Sequence, residues 1–288
     1  MNLSLIGIPI FSGAYVSGTE LAPEALRAAG LVSRLQEKEM YVTDHGNVKL
    51  PDYLPRHNIP PVRNWPAPRM VWDLLRTEAQ GWFRGNEFTL LLGGDCSLVV
   101  GTAAGLKRVF PEQAYLLVID GHLDTMKPSS SRCIGAAGMG LWFLLHGTEM
   151  WVEPSGWTPE QISVAGVQKM PDETYGIPIT TLQQLRETGI AESADSLLRS
   201  IPADAKILVH FDVDVMHKEA MPAAYSPSKT GLGMEEAEEL LGRILSDERV
   251  VGLEVTEFSA LRDTTGEQGA RLASLLADCL KYRKVVSR

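Results

Sequence analysis

Cysteine is scarce in this sequence. Its three cysteines among 288 residues, Cys96, Cys133 and Cys279, are odd in number and far apart. Proteins that depend on a disulfide framework carry even and closely spaced sets of cysteines. The spacing therefore argues against structural disulfides, and any role of these residues depends on the free thiol.

Long apolar runs and basic stripes are also missing. No segment approaches the ~20 consecutive apolar residues of a transmembrane helix, and the opening MNLSLIGIPI has neither the cationic start nor the cleavage site of a signal peptide. The formal net charge is -9, with acidic residues spread along the chain. Nucleic acid binding needs a basic surface. We therefore expect a cytoplasmic protein with neither a membrane nor a nucleic acid as partner.

Apolar residues are abundant, at 44% of the sequence, and can form a large core. Short apolar runs typical of strands occur at 3–10, 88–92, 115–119, 162–164, 207–211 and 250–255. Segments with helical spacing occur at 22–36, 71–83, 97–109, 182–199, 234–245 and 269–284. Apolar strands alternating with helices are typical of a parallel sheet covered on both faces. We predict one three-layer α/β/α domain over residues 1–288, with a proline-rich surface loop at 51–68.

Polar residues cluster where four of the predicted strands end. Asp120 follows the strand at 115–119, Asp212 follows the one at 207–211, and Glu257 closes the segment GLEVTE at 252–257. The strand at 88–92 runs into GGDCS at 93–97, which contains Cys96. Ligands of open parallel sheets bind outside the carboxyl ends of the strands. These residues are therefore predicted to meet at one edge of the sheet.

The spacing of the acidic residues indicates a metal site. Asp120, His122 and Asp124 alternate along the chain, and Asp212 and Asp214 repeat this spacing. On extended backbone such residues point to the same side. Without a cation, so many carboxylates in a crevice would repel one another. Two divalent ions about 3.5–4 Å apart, with shared carboxylates, would satisfy this ligand count. The alternative is that these aspartates only cap the turns after the strands.

Taken in order, the motifs GGDCS (93–97), DGHLD (120–124), FDVD (211–214) and GLEVTE (252–257) resemble the ureohydrolase (arginase/agmatinase) family. The family patterns are GGDHS, DAHxD, FDVD and GLDxxE. GIP at 7–9 and the segment 18–31 are similar to the family's first strand, loop and helix, so the resemblance covers nearly the whole chain. It implies an arginase-like parallel sheet and a homo-oligomer.

The resemblance also implies a ligand set and a reaction. Asp120 and Asp212 would bridge two ions, usually manganese. Asp124 and Cys96 would complete the ligand set of one ion, and His122 and Asp214 would complete that of the other. The implied reaction is hydrolysis of a linear C–N bond in a small guanidino compound, with release of urea. Asp124 would carry a proton, and Glu257 would hold the guanidinium group.

Cys96 departs from the family pattern, which has histidine at this position. A thiolate is a softer ligand that suits zinc or ferrous iron better than manganese. In the alternative, Cys96 is only a small buried residue, and Asp120, His122 and Asp214 hold a single zinc ion for a deacetylase-like amide hydrolysis.

The segment after Asp124 departs as well. Ala137 stands where arginases have a proton-shuttling histidine, and Met126 stands where they offer an asparagine to the substrate. Together with Cys96, these differences resemble the branch that hydrolyses Nω-hydroxy-arginine to hydroxyurea and ornithine. His217, predicted near the mouth of the site, or His210 could supply a proton instead.

Two alternatives stay open at this point. His210 alternates with Phe211 on its strand and could be an ordinary core residue. The whole chain could be a non-catalytic relative that binds a cationic ligand, although the presence of Asp124 and Glu257 argues against this alternative. A binding protein needs no proton carrier in its site.

Overall fold

The computed structural model describes residues 1–283, which contain one eight-stranded sheet with parallel pairing throughout. The strand order is β2-β1-β3-β8-β7-β4-β5-β6. The strands are β1 (Asn2–Gly7), β2 (Tyr41–Asn47), β3 (Phe88–Leu92), β4 (Ala114–Ile119), β5 (Ile162–Val167), β6 (Ile179–Thr181), β7 (Lys206–Asp212) and β8 (Val250–Thr256).

Helices cover both faces of this sheet. Within residues 1–283 they are α1 (Ala22–Ala28), α2 (Leu31–Glu37), α3 (Ala67–Arg84), α4 (Val99–Val109), α5 (Gly140–His146), α6 (Leu182–Thr188), α7 (Ile190–Ser200), α8 (Met234–Leu245) and α9 (Glu267–Leu280). In this part of the chain no helix combines the length and the apolar character needed to cross a bilayer.

Two apolar cores fill the spaces between the layers. One core contains residues of α1, α2 and α6–α9, and the other contains residues of α3–α5. The first strand shows the alternation behind this division, because Leu3 and Leu5 join the first core and Ile6 joins the second. Side chains of a strand point to opposite faces in turn. The predicted three-layer α/β/α fold is confirmed.

The helices observed in the structure differ from the predicted helices mainly at glycine residues. The predicted helix at 22–36 is two helices separated at Gly30, whose φ of 81° lies in the left-handed region. The predicted helix at 182–199 is likewise divided at Gly189, with φ of 91°. Glycine adopts such angles without a steric penalty and interrupts a helix there. The last predicted helix ends at Leu280, and its predicted end at Lys284 lies outside the described residues.

Two edge strands and one helix were not predicted, namely β2, β6 and α5. The proline-rich segment is mostly irregular up to residue 66, and its last proline, Pro68, lies in the first turn of α3. Proline is well tolerated there because the first helical N–H groups have no partner within the helix.

The centre of the sheet brings the motif-bearing strands together. The order β3-β8-β7-β4 makes them direct neighbours. Ile119 pairs in register with Phe211, which pairs with Val255. Asp212 pairs with Thr256 at the next level. Because these strands end at the same height, the polar residues that follow them share one edge of the sheet.

Candidate metal centre

The more exposed group of potential ligands consists of Asp120, His122 and Asp214. Their ligand atoms all lie within 4.8 Å of one another. Nδ1 of His122 lies 3.1 Å from Oδ2 of Asp214 and 3.7 Å from Oδ1 of Asp120. Both carboxylates are buried, whereas 52% of the His122 side chain is exposed. The group is therefore open to solvent on its imidazole side.

A second group lies deeper and consists of Cys96, Asp120, Asp124 and Asp212, again with ligand atoms within 4.8 Å. The Cys96 thiol donates to Oδ2 of Asp212 over 2.7 Å. Asp120 belongs to both groups, so one carboxylate connects them. The resemblance implies bridging roles for Asp120 and Asp212, but only Asp120 belongs to both groups, whereas Asp212 lies only in the second.

The aspartates at the strand ends also cap turns. Oδ1 of Asp120 accepts the backbone N–H of His122 at 2.6 Å, and Oδ1 of Asp212 accepts that of Asp214 at 2.7 Å. The two interpretations of these residues are compatible, because a carboxylate that caps a turn with one oxygen keeps its second oxygen for another partner.

The residues after β4 are not extended, contrary to the expectation from alternation. The strand ends at Ile119, and Asp124 has a left-handed backbone with φ of 51°. Such angles are uncommon outside glycine and store strain that the surrounding structure must hold. A turn, rather than a strand face, brings Asp124 to Cys96.

Close packing at Gly94 positions Cys96. A Cβ on Gly94 would lie 1.8 Å from the carbonyl oxygen of Ile10, so only glycine fits there. The next residue, Asp95, is fully buried and accepts backbone N–H groups of Gly13 at 3.0 Å and Ser97 at 3.1 Å. Asp95 therefore fixes this turn and is not among the grouped ligands.

Glu257 stands beside the deeper group. Its Oε1 accepts the backbone N–H of Cys96 at 2.8 Å, and its own φ is 63°. Its Oε2 is buried and has no hydrogen-bond partner within residues 1–283. A buried acceptor without a partner costs free energy, so this oxygen is suited to a donor group of a ligand.

The buried carboxylates of the cluster lie close together, which shifts their pKa values. Burial, then repulsion by neighbouring carboxylates, raises the pKa values of Asp124, Asp212 and Glu257 well above their ordinary range. Burial likewise raises the pKa of Asp214 to about 6. Hydrogen bonds to Asp120 and Asp214 raise the pKa of His122 to about 12.

The Cys96 thiol follows the same rule. Burial, then the nearby charge of Asp212, raises its pKa well above the ordinary value. Cysteine binds metal as the thiolate, which a bound cation favours. Oδ1 of Asp214 is also buried without a hydrogen-bond partner in residues 1–283. The donor set and its closely spaced carboxylates fit divalent metal ions.

Not every residue that the sequence suggested joins the cluster. Nδ1 of His217 accepts the backbone N–H of Glu219 at 3.2 Å, and His217 lies in neither ligand group. Met126 is 46% exposed, and its backbone N–H donates to the carbonyl oxygen of Gly138 at 3.0 Å.

His210 lies close to the cluster. It is buried at 2% exposure, and its ring forms a third group of potential ligands with Cys96 and Asp120. Phe211 belongs to the core on the opposite face of the sheet. The signal was present in the sequence, because His210 precedes Asp212 by two residues and so shares its strand face.

The fold and these groups of ligands define a metal-binding α/β/α hydrolase with its site at the carboxyl edge of a parallel sheet. The chain belongs to the arginase family, whose sequence model matches residues 1–281. It is 28% identical to arginase-1 of Mus musculus over 287 residues, covering 93% of this chain and 87% of that protein. As a member of this family, the protein is a hydrolase acting on C–N bonds of amidines.

Solved structures show the same fold. The arginase of Bacillus cereus superimposes with a TM-score of 0.85 at 19% identity, covering 100% of both chains. The arginase of Entamoeba histolytica in complex with L-ornithine has a TM-score of 0.85 at 18% identity, covering 96% of this chain and 98% of that one.

Proposed function

We propose that the protein hydrolyses the linear C–N bond of a guanidino or hydroxyguanidino compound, such as Nω-hydroxy-arginine, at two divalent metal ions. The products would be urea or hydroxyurea and an amine. The observation that carries this proposal is the pair of ligand groups that share Asp120 at the carboxyl edge of the sheet.

The proposed ligands follow from the two ligand groups, and the place of Asp212 at the second ion follows from the family resemblance alone. One ion would be held by Cys96, Asp120, Asp124 and Asp212, and the other by Asp120, His122, Asp212 and Asp214. Divalent ions at such a site supply a water molecule that is nucleophilic near neutral pH. Manganese is the usual metal for a largely carboxylate set, whereas the thiol of Cys96 favours zinc or ferrous iron.

Glu257 would position the substrate. Its unpartnered Oε2 can accept an N–H of the guanidinium group, and a planar N–H fork matches a carboxylate well. Because Oε1 is already bound to the backbone of Cys96, the carboxylate is fixed beside the deeper ligand group. A fixed anchor of this kind lowers the barrier by orienting the reacting carbon.

Asp124 would carry the proton. Water adds to the guanidino carbon and gives a proton to Asp124, the C–N bond to the alkyl amine breaks, and Asp124 passes that proton to the leaving nitrogen. His217 is left out of this scheme because it lies in neither ligand group.

Ala137, which stands where arginases have a proton-shuttling histidine, bears on the choice between guanidino and hydroxyguanidino substrates. Ala137 has no group that transfers protons. A hydroxyguanidine is a weaker base than a guanidine, so more of it is neutral near pH 7 and its carbon accepts water with less help from a separate proton shuttle. This favours the hydroxyguanidino compound within the proposed class.

The test is release of urea and hydroxyurea from arginine, agmatine, Nω-hydroxy-arginine and short guanidino acids. Manganese-loaded and zinc-loaded protein are compared with Asp124→Asn and with the exposed control Asp52→Asn. We expect turnover of at least one compound, lowered about 10²–10⁴-fold by Asp124→Asn and unchanged by the control. No product from any compound, with two metal ions bound per chain, would refute the guanidine assignment.

Metal content also separates this proposal from its alternatives. Two ions per chain support it, one zinc ion supports the deacetylase-like alternative, and none supports the non-catalytic one. A cytoplasmic homo-oligomer remains a prediction, which light scattering and fractionation of the source cells would measure.

A further inference from the structure

His210 and Glu254 form a buried pair beneath the metal-ligand groups. They are register partners on β7 and β8, and their exposures are 2% and 0%. Nδ1 of His210 lies 2.6 Å from Oε1 of Glu254. The other oxygen of Glu254 accepts the hydroxyl of Thr102 at 2.7 Å. Both oxygens of this carboxylate are therefore satisfied, and the orientation of the imidazole ring is fixed.

The second ring nitrogen of His210 lies near the hydroxyl group that contacts the Cys96 thiol. Its Nε2 lies 3.4 Å from the hydroxyl oxygen of Thr256, which lies 3.1 Å from Sγ of Cys96. A ligand atom of His210 lies within 4.8 Å of those of Cys96 and Asp120. At 3.4 Å, the contact with Thr256 is long for a hydrogen bond. Because Nδ1 is taken up by Glu254, Nε2 is the buried nitrogen with a weak partner that remains for the group with Cys96 and Asp120.

The contact with Glu254 determines whether Nε2 of His210 donates or accepts. When Nδ1 donates its proton to a carboxylate, Nε2 keeps its lone pair and can only accept or coordinate. Histidines that bind metals nearly always donate their other ring N–H to a carboxylate, a carbonyl or water. The Glu254–His210 pair has this arrangement, whereas a pair that serves only the core needs no free lone pair beside two potential metal ligands.

We propose that His210 is a metal ligand and that Cys96, Asp120 and His210 together bind zinc. This inference rests on the proposed function in one respect, namely that the Cys96 region holds a metal. One thiolate, one imidazole and one carboxylate fill three positions of a tetrahedral zinc site and leave the fourth for water or substrate. Each of the three residues has an exposure of 2% or less, so the site is shielded from bulk water.

The proposal gives a physical basis for metal choice. Cys96 and Asp120 are common to this set and to the set with Asp124 and Asp212. An ion that prefers sulfur and nitrogen would use His210, whereas manganese prefers oxygen and would use the carboxylates. Removal of His210 should therefore weaken zinc binding selectively.

The first experiment measures zinc and manganese affinities by competition with a chromophoric chelator. His210→Asn is expected to weaken zinc binding by more than about 100-fold, and Glu254→Gln by about 10–100-fold, the usual effect of losing a carboxylate behind a ligand. Manganese affinity should change less than threefold in both variants. Equal zinc affinity in His210→Asn and the unaltered protein would overturn the proposal.

A second measurement avoids the risk that His210→Asn fails to fold. In the His122→Asn variant, which removes the imidazole of the exposed group, zinc-edge X-ray absorption is recorded with one equivalent of zinc bound. One sulfur and one imidazole per zinc ion support the proposal. Sulfur without imidazole would overturn it while leaving the proposed function intact. If the unaltered protein binds no metal and releases no urea or hydroxyurea, the proposed function fails as well.

Discussion

Asp214→Asn should stabilise the metal-free protein at neutral pH and not at acidic pH. The side chain is 3% exposed, and burial raises its pKa from 3.8 to about 6. A carboxyl group whose pKa is higher in the folded state stabilises the fold fully below its unfolded value. That contribution is lost as the pH rises through the folded value. Asparagine resembles the protonated acid and does not ionise, so the unfolding free energy of the variant does not fall in this way as the pH rises.

The shift sets the size of the effect. About two pKa units, at about 1.4 kcal/mol each, correspond to about 3 kcal/mol of unfolding free energy. Because the loss begins near the unfolded pKa of 3.8, we expect the variant to gain about 2 kcal/mol relative to the unaltered protein between pH 4.5 and pH 7.5. The raised pKa of His122 gives stability that is fully present below pH 6.5 and is lost only as the pH rises toward 12. Asp214→Asn removes one of the two carboxylates behind this shift, and the resulting loss is nearly equal at pH 4.5 and pH 7.5.

The assay is urea-induced unfolding of chelator-treated protein, followed by circular dichroism at pH 4.5 and pH 7.5. Asp52→Asn, an exposed residue of the proline-rich segment, is the matched control and should track the unaltered protein. Metal at about 100 times its Kd should return about 2.7 kcal/mol to the unaltered protein at pH 7.5. The reasoning is wrong if the difference between Asp214→Asn and the unaltered protein is the same at both pH values.

Three further predictions concern the site and its support. Glu257→Gln should lower kcat/KM for a guanidino substrate by about 10–150-fold, because it weakens a hydrogen bond to a charged group. A kcat/KM within twofold of that of the unaltered protein, measured by steady-state kinetics, would contradict the anchor role. Gly94→Ala should destabilise the fold by at least about 3 kcal/mol in urea unfolding because its Cβ would lie 1.8 Å from a backbone oxygen. Gly81→Ala, with open space in α3, should instead stabilise by about 0.5–1 kcal/mol, and equal effects would refute the steric argument. Cys96→Ser should weaken zinc binding more than tenfold and Cys133→Ser should not; equal chelator-competition affinities would show that the first thiol is not a ligand.

The central strands and the site edge could be predicted from the sequence because the signals there are strong. Fully buried parallel strands such as β3 and β4 are continuous apolar runs, and each is followed by a polar motif. The edge strand β2 was missed because it is largely exposed and contains Asp44, His45 and Gly46, which are uncommon in strands. Its position depends on pairing with β1, a contact that no local pattern reveals.

The contacts within the site also depend on tertiary pairing that no local sequence pattern reveals. Alternation correctly placed His210 and Phe211 on opposite faces of β7, and it left open what His210 would contact. The answer depends on the register between β7 and β8, which sets Glu254 beside His210. The backbone at Asp124 was also beyond the sequence, because its left-handed φ of 51° is held by tertiary contacts and not by local preference.

The most direct test of the proposed reaction follows the oxygen atom of water. Metal-loaded protein is incubated in ¹⁸O-labelled water with arginine, agmatine or Nω-hydroxy-arginine, and the products are analysed by mass spectrometry. We expect one labelled oxygen in each urea or hydroxyurea molecule and none newly introduced into the amine, with labelled product formed about 10²–10⁴-fold more slowly by Asp124→Asn. Labelled product at the same rate in that variant, or no labelled urea or hydroxyurea from any of the three compounds, would contradict the proposed reaction.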